Sequence, residues 1–321
     1  MSRRCAVRHP AARRNGLEPS GGGAVRRRSR PAWNNGGVRI DLHTHSTASD
    51  GTDSPAEVVR GAAEAGLAVV ALTDHDTTAG WAEAAAALPS GVALVRGMEM
   101  SCTGRGEDGR PVAVHLLAYL FDPANDAFAR ERERLRAERT SRLRAMAEKM
   151  AADGLPIDPA AVMAAAGPAV GRPHLARALV DAGVVGSVDE AFADLLRTGG
   201  RYYVHKNDTP LPDAVRMVAQ AGGVSVLAHP RASSRGRLMD MDQIGELVAD
   251  GLGGVEIAHH DHGAADQRIL RGIAADLDLI VTGSSDYHGR NKSVVLGEFV
   301  TDPDQYDRIV TAASGVDVVT G

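Results

Sequence analysis

Aromatic side chains are scarce in this 321-residue chain, at 3% of the total. Ala, Gly, Val and Arg are abundant instead, a bias of coding composition more than a functional signal. Cysteine is nearly absent: Cys5 and Cys102 are the two, and they lie far apart. That excludes a Cys-rich, closed structural zinc site and a disulfide scaffold. It fits a reducing cytoplasm, where we place the protein. No run approaches about 18 uninterrupted apolar residues, so no membrane span is expected. The length is enough for one large α/β domain, or one domain with an insertion.

The formal net charge of −5 hides an asymmetry. Ser2 to Pro31 holds nine Arg and one Glu, with a Gly21-Gly22-Gly23 run. Removing that +8 leaves the remaining chain at −13. Residues 1–37 read as a disordered basic tail without the apolar core of a secretory signal. A functional basic arm for RNA or membrane is the alternative. An acidic body is no general nucleic-acid binder, so any affinity for phosphate must come from metals or a local Arg/Lys cluster.

Histidine is what the chain does have, twelve in all, several in short motifs at the ends of apolar runs. These are Asp41-Leu42-His43-Thr44-His45 with Ser49-Asp50-Gly51, then Thr73-Asp74-His75-Asp76, Gly97-Met98-Glu99 and Val114-His115. Ala228-His229-Pro230 and Ser285-Asp286-Tyr287-His288 follow. Side chains at i and i+2 of a strand share one face, so His43 and His45 can reach one ion together. Asp286 and His288 repeat that spacing. Asp50 sits in a turn where Gly51 lets the carboxylate swing inward. Imidazoles and carboxylates in such numbers suit Mn, Fe or Zn and exceed the needs of one ion. The pattern is that of a multinuclear metallohydrolase.

Predicted elements place these motifs at strand ends. Strands are expected at Val38–Leu42, Leu67–Leu72, Val92–Val95 and Val112–Leu120. Helices are expected from about Asp53 to Ala65, starting at a Ser54/Glu57 cap and stopping at Gly66, and from Thr77 to Leu88. This β-α-β rhythm implies a parallel-rich sheet with helices outside and chemistry at the C-terminal strand ends. It breaks near Asp122. A long Arg/Glu-rich helix from Asp126 to about Asp153 leads into helices near Pro159–Ala166, Arg172–Asp181 and Val188–Leu196. The rhythm then resumes with a helix at Pro212–Ala221, strands at Val224–Leu227, Gly254–Ile257 and Leu279–Thr282, and a helix at Pro303–Ala313. The expected organisation is a barrel over 38–121 and 207–321, with a helical insertion over 122–206.

The motif order HxH…SDG…TDH…GxE…H…AHP…SDxH resembles the PHP (polymerase and histidinol phosphatase) superfamily, over about Val38 to Val300. The run Asp41–Gly51, Gly171-Arg172-Pro173-His174-Leu175-Ala176-Arg177 and Tyr202-Tyr203-Val204 are similar to its branch of 3′,5′-nucleoside bisphosphate phosphatases, some of which are also 5′→3′ exoribonucleases. The resemblance implies a distorted (β/α)7 TIM-like barrel with an inserted lid. It implies two to three divalent transition metals, Mn first, with Fe or Zn as alternatives. One ion takes His43, His45, Glu99 and Asp286. Glu99 bridges to a second held by His115 and His229, and Asp50, His75 and His288 take a third. A metal-bridging hydroxide is then the nucleophile, with no protein nucleophile. The implied reaction is hydrolysis of the 3′-phosphate of a 3′,5′-bisphosphorylated nucleoside. Alternatives are 5′→3′ exoribonuclease action on short RNA, histidinol-phosphate hydrolysis, and a non-catalytic metal-binding module. A small nucleotide or short RNA is the expected partner, with no membrane and no stable protein partner.

Other residues carry two readings. Asp74 and Asp76 flank His75 and are expected to orient imidazoles from behind the ligands. Strand-end His259 is assigned the same supporting place. Arg139, Ser141 and Arg142 resemble the branch's phosphate-contacting segment, against a solvated charged face. Arg172 and His174 suit a second phosphate site, against simple helix capping.

Overall fold

The computed structural model describes residues 37–166, 170–233 and 236–321. The expected basic tail, apart from Gly37, lies outside the described residues.

The chain alternates short buried strands with helices. In order these are β1 (Ile40–Thr44), α1 (Pro55–Glu64), β2 (Val69–Leu72), α2 (Trp81–Ala86), β3 (Ala93–Arg105) and β4 (Pro111–Tyr119). The inserted helices α3 (Asp126–Ala152), α4 (Pro159–Ala166), α5 (Arg172–Asp181) and α6 (Val188–Ala193) come next. The last third runs β5 (Thr209–Pro210), α7 (Leu211–Gln220), β6 (Val224–Ala228), α8 (Gln243–Asp250), β7 (Gly254–Ala258), α9 (Ala264–Asp276), β8 (Ile280–Gly283), α10 (Pro303–Ala312) and β9 (Val319–Thr320).

Local chemistry sets several boundaries. Ser54 and Glu57 form a reciprocal capping box at the start of α1. Gly66, at φ 71°, turns the chain out of it. α2 starts at Trp81, not Thr77. Thr77 Oγ1 accepts from Ala79 N at 3.1 Å, a local bond that competes with helix.

The sheet follows the order β1-β2-β3-β4-β6-β7-β8, with β5 and β9 adding to β3. β1-β2-β3 and β6-β7-β8 are parallel runs. β4 is antiparallel to both β3 and β6. The β3–β4 link is a tight turn with Gly109 at φ 74°, and so short a link joins only antiparallel strands. That hairpin also carries β3 to Arg105, well past the four residues expected.

The circle nearly closes. His45 N donates to Tyr287 O at 2.8 Å, and Thr301 bridges the two edges by donating to Ile40 O and exchanging bonds with Gly283. The fold is a distorted TIM-like α/β barrel. Helices α1, α2 and α7–α9 cover the strands through Val59, Trp81, Val215, Leu247 and Leu270, all buried. Neither α8 nor α9 was expected from the sequence.

The inserted helices have an apolar cluster of their own, built on Leu143, Met146, Met150, Leu175 and Leu179. Phe128 and Leu135, in the first half of α3, belong to the barrel core. Thus α3 is shared. Its start is nailed to the barrel through the Trp81–Phe121–Phe128 ring contacts at 5.1 and 4.8 Å, and its end packs with the other inserted helices.

Candidate metal centre

The nine residues singled out as ligands converge at the C-terminal ends of the parallel strands. β1 delivers His43 and His45, both fully buried, with Nε2 atoms 3.1 Å apart. Glu99 is the hub. Its Oε2 lies 3.2 Å from His43 Nε2, 3.1 Å from His45 Nε2 and 3.1 Å from His75 Nδ1. Its Oε1 lies 2.7 Å from His115 Nδ1 and 3.0 Å from His229 Nε2. Asp286 Oδ1 is 3.4 Å from the Nε2 atoms of both His43 and His45. Asp50 faces His75 Nε2 at 3.6 Å and His288 Nε2 at 3.3 Å.

Three groupings result: His43/His45/Glu99/Asp286, His45/Asp50/His75/His288 and His75/Glu99/His115. They overlap more than the ligand sets implied by the resemblance. His45 and His75 each offer one nitrogen to Glu99 and the other to the Asp50 group. His229 and Asp286 hold positive φ, at 28° and 54°. For non-glycine residues such backbone costs about 1–3 kcal/mol and clusters at functional sites.

The electrostatics describe an acidic hole that draws cations. Burial disfavours the charged form of His43, yet Glu99, Asp286 and Glu256 override it and raise its pKa well above the ordinary value. His45 is pushed up to about 9, with Asp286 and Glu99 outweighing burial. Glu99 and Asp50 are also buried, but the imidazoles around them hold both carboxyls well below the usual range.

The donor set fits divalent metals. His75 Nδ1 and His115 Nδ1 are buried within 3.1 Å of Glu99 oxygens but make no hydrogen bond. Buried imidazole nitrogens gathered around one carboxylate suit a shared cation. His43 Nδ1 faces Glu256 Oε1 at 3.1 Å, which leaves the Nε2 lone pair directed into the cluster.

The comparisons agree with this geometry. Residues 41–156 match the family model described as "PHP domain". A 3′,5′-nucleoside bisphosphate phosphatase of Chromobacterium violaceum is 36% identical, over 78% of this chain and 87% of its own length. A 5′-3′ exoribonuclease of Haemophilus influenzae is 33% identical, over 78% and 90%. A phosphoribosyl 1,2-cyclic phosphate 1,2-diphosphodiesterase of Eggerthella lenta is 35% identical, over 78% and 94%. A crystal structure from Bifidobacterium adolescentis, assigned as a metal-dependent phosphoesterase, superimposes with a TM-score of 0.80 at 37% identity, covering 86% of this chain and 97% of that one.

The chain belongs to the PHP family. As a PHP enzyme it is a phosphoric ester hydrolase that binds divalent metal, with a TIM-like barrel as its fold.

Around this PHP centre, several supporting residues differ from expectation. Neither Asp74 nor Asp76 meets an imidazole directly; Asp74 reaches His45 Nδ1 only through Ser49 Oγ, which lies 3.4 Å from that nitrogen. Asp74 accepts from Ser46 N, Ser46 Oγ and Ser49 Oγ, at 2.8, 2.7 and 2.6 Å, and so shapes the loop that carries Asp50. Asp76 accepts from Ser101 N and Oγ, at 2.7 and 2.8 Å, and from Arg139 Nε. The carboxylate that does hold an imidazole is Glu256, missed in the sequence. Its signal was a lone acidic residue in the apolar strand Gly254–Ala258, three positions before His259. His259 itself is buried with Nε2 3.3 Å from Asp286 Oδ2, beside Lys292 Nζ at 2.5 Å from the same oxygen.

The lid residues also sort differently. Arg139 lines a small pocket together with Asp50, His75 and Arg136. Arg142 lies over the Tyr203 ring at 5.1 Å. Ser141 is exposed. Two residues along a helix is a turn of about 200°, so it cannot share the cleft face with Arg139. Arg172 is used inside the lid, over the Phe192 ring at 5.2 Å and donating to Leu196 O at 3.0 Å. His174 Nδ1 accepts from Gly171 N at 3.2 Å and caps α5. Lys206, nearly buried, pairs with Asp208 at 2.6 Å, and burial lowers its pKa to about 8.

Proposed function

We propose that this PHP enzyme hydrolyses the 3′-phosphate of 3′,5′-bisphosphorylated nucleosides, giving a nucleoside 5′-monophosphate and phosphate. The observation that carries the reading is the shared cavity. Arg136 and Arg139 line the same pocket as Asp50 and His75, so cationic side chains adjoin the metal-binding group. A substrate with two phosphates meets both features at once.

His43, His45, Glu99 and Asp286 would hold one ion; His75, His115 and His229 with Glu99 a second; Asp50 and His288, with His45 and His75, a third. We assign two to three ions, with Mn first and Fe or Zn as alternatives. When bound, such ions supply Lewis acidity to phosphoryl oxygens and lower the pKa of coordinated water. The chain's own groups prepare that site. Glu256 fixes the His43 tautomer, and Lys292 with His259 occupies one oxygen of Asp286 so that the other faces the imidazoles. Asp76 and Ser101 engage Nε and Nη2 of Arg139. That fixes the guanidinium plane and leaves Nη1 for an anion, which guanidinium binds with directional, charge-assisted bonds.

The second reading is 5′→3′ exoribonuclease action on short 5′-phosphorylated RNA, favoured by the similarity to the H. influenzae enzyme across 90% of its length. A Mn²⁺-loaded preparation separates the two. We expect the highest kcat/KM for adenosine 3′,5′-bisphosphate, ahead of histidinol phosphate, a 1,2-cyclic ribose phosphate and a 5′-phosphorylated RNA trimer. A trimer or cyclic phosphate turned over faster than the bisphosphate would overturn the assignment.

A further inference from the structure

Asp50 stands apart from most other residues of the metal centre. His43, Glu99 and His115 sit on β1, β3 and β4, and His229 follows β6 directly. Sheet hydrogen bonds fix their backbones. Asp50 lies six residues beyond the end of β1, in a loop whose inner bonds include Ser49 N and Gly51 N to Ser46 O, both at 3.0 Å, and Thr47 N to Asp53 O at 2.8 Å. It is also the sole carboxylate of the His45/Asp50/His75/His288 grouping. Whatever fixes this loop therefore fixes that site.

Part of what fixes it is the lid. Asn291 Nδ2 donates to the Asp50 carbonyl at 2.7 Å. The other end of the same amide, Oδ1, accepts from Arg177 Nη2 on α5. Asn291 belongs to the tight helical turn Gly289–Asn291 that follows His288, another member of the grouping. The glycine that precedes α5 lies beside Asp50 as well. A Cβ on Gly171 would lie 3.5 Å from Asp50 Cβ and 3.7 Å from its Oδ2. One lid helix thus reaches the loop through an amide relay, with the glycine at its N-cap alongside.

We propose that Arg177 and Asn291 are positioning residues that make the Asp50 metal site depend on the docked lid. The inference rests on reading the Asp50 grouping as an ion site. Its consequence is reciprocal: an ion bound by Asp50 favours the docked lid by the same factor that docking favours the ion. The other ions, held mainly by residues on or just past strands, should depend less on α5.

The test is a stepwise Mn²⁺ titration of the chelator-stripped full chain, with free Mn²⁺ read by electron paramagnetic resonance. Asp50→Asn identifies the binding step that belongs to this grouping. Arg177→Ala and Asn291→Ala should each weaken that step by about tenfold to a hundredfold, the range for partners behind a ligand. The remaining steps and the melting temperature of the metal-free chain should stay at parent values. The double variant should be no weaker than either single one, because both changes cut one relay. Arg177→Lys should restore part of the loss. Variants that bind every ion as the parent does, or that weaken all steps alike, would overturn the inference alone. A parent isotherm unchanged by Asp50→Asn would overturn both the inference and the reading of this grouping as an ion site.

Discussion

Replacing Glu256 by Gln is the sharpest perturbation of the centre that leaves every proposed ligand in place. Glu256 is fully buried. One oxygen faces His43 Nδ1 at 3.1 Å and the other accepts from His229 N at 2.9 Å. It therefore fixes the ring of one residue and the backbone of another. Burial works against its charge, but His43 and His259 overcome that and hold the carboxyl down to about 2. It is ionised throughout any practical assay. Gln preserves shape and one acceptor, so one of the two contacts must meet an NH₂ group instead. Loss of a hydrogen bond to a charged partner costs about 1.5–3 kcal/mol. Partners of this kind shift metal affinity or activity by roughly 10–100-fold. We expect the Mn²⁺ concentration for half-maximal activity to rise by that factor, with much of kcat recovered at saturating Mn²⁺. Circular dichroism should be unchanged. A Glu256→Gln enzyme with parent metal dependence would refute the role given to this residue.

Arg139→Ala should raise KM for a bisphosphorylated nucleoside about tenfold or more, at roughly 1.4 kcal/mol per decade, while leaving p-nitrophenyl phosphate hydrolysis nearly unchanged. Ser141→Ala, on the exposed side of α3, should change neither; equal losses in both variants would remove the lid from substrate reading. Above about pH 6.5 the metal-free chain should lose stability as pH rises. His45 has a raised pKa, so its contribution is complete below about 6.5 and is lost through about 9. Metal binding near pH 7.5 should accordingly release protons, seen as a calorimetric heat that differs between buffers of different ionisation enthalpy. A heat independent of buffer would contradict this.

Much of the centre was legible because strand geometry is simple. The i, i+2 pairs His43/His45 and Asp286/His288 and the strand-end position of Glu99 each follow from a two-residue period and a short apolar run. What escaped depends on contacts distant in sequence. Glu256 sits 213 residues from the His43 ring it holds, and no spacing rule links them. Asp76 looked like a support for its neighbour His75, but its left-handed backbone turns the carboxylate toward Ser101 and Arg139. The direction of β4 was hidden for a similar reason. Its apolar run reads alike in either orientation, and the brevity of the turn after Arg105 decides it. Helix phase explains the inserted helix: Arg139 and Ser141 are two positions apart in sequence and opposed around its axis.

Metal content measured together with activity tests the central claim most directly. Protein purified without chelator should contain two to three divalent transition-metal ions per chain by elemental analysis. Stripping them should abolish phosphate release from adenosine 3′,5′-bisphosphate, and Mn²⁺ should restore it. A chain with no more than one bound ion that keeps full activity in chelator would contradict the account.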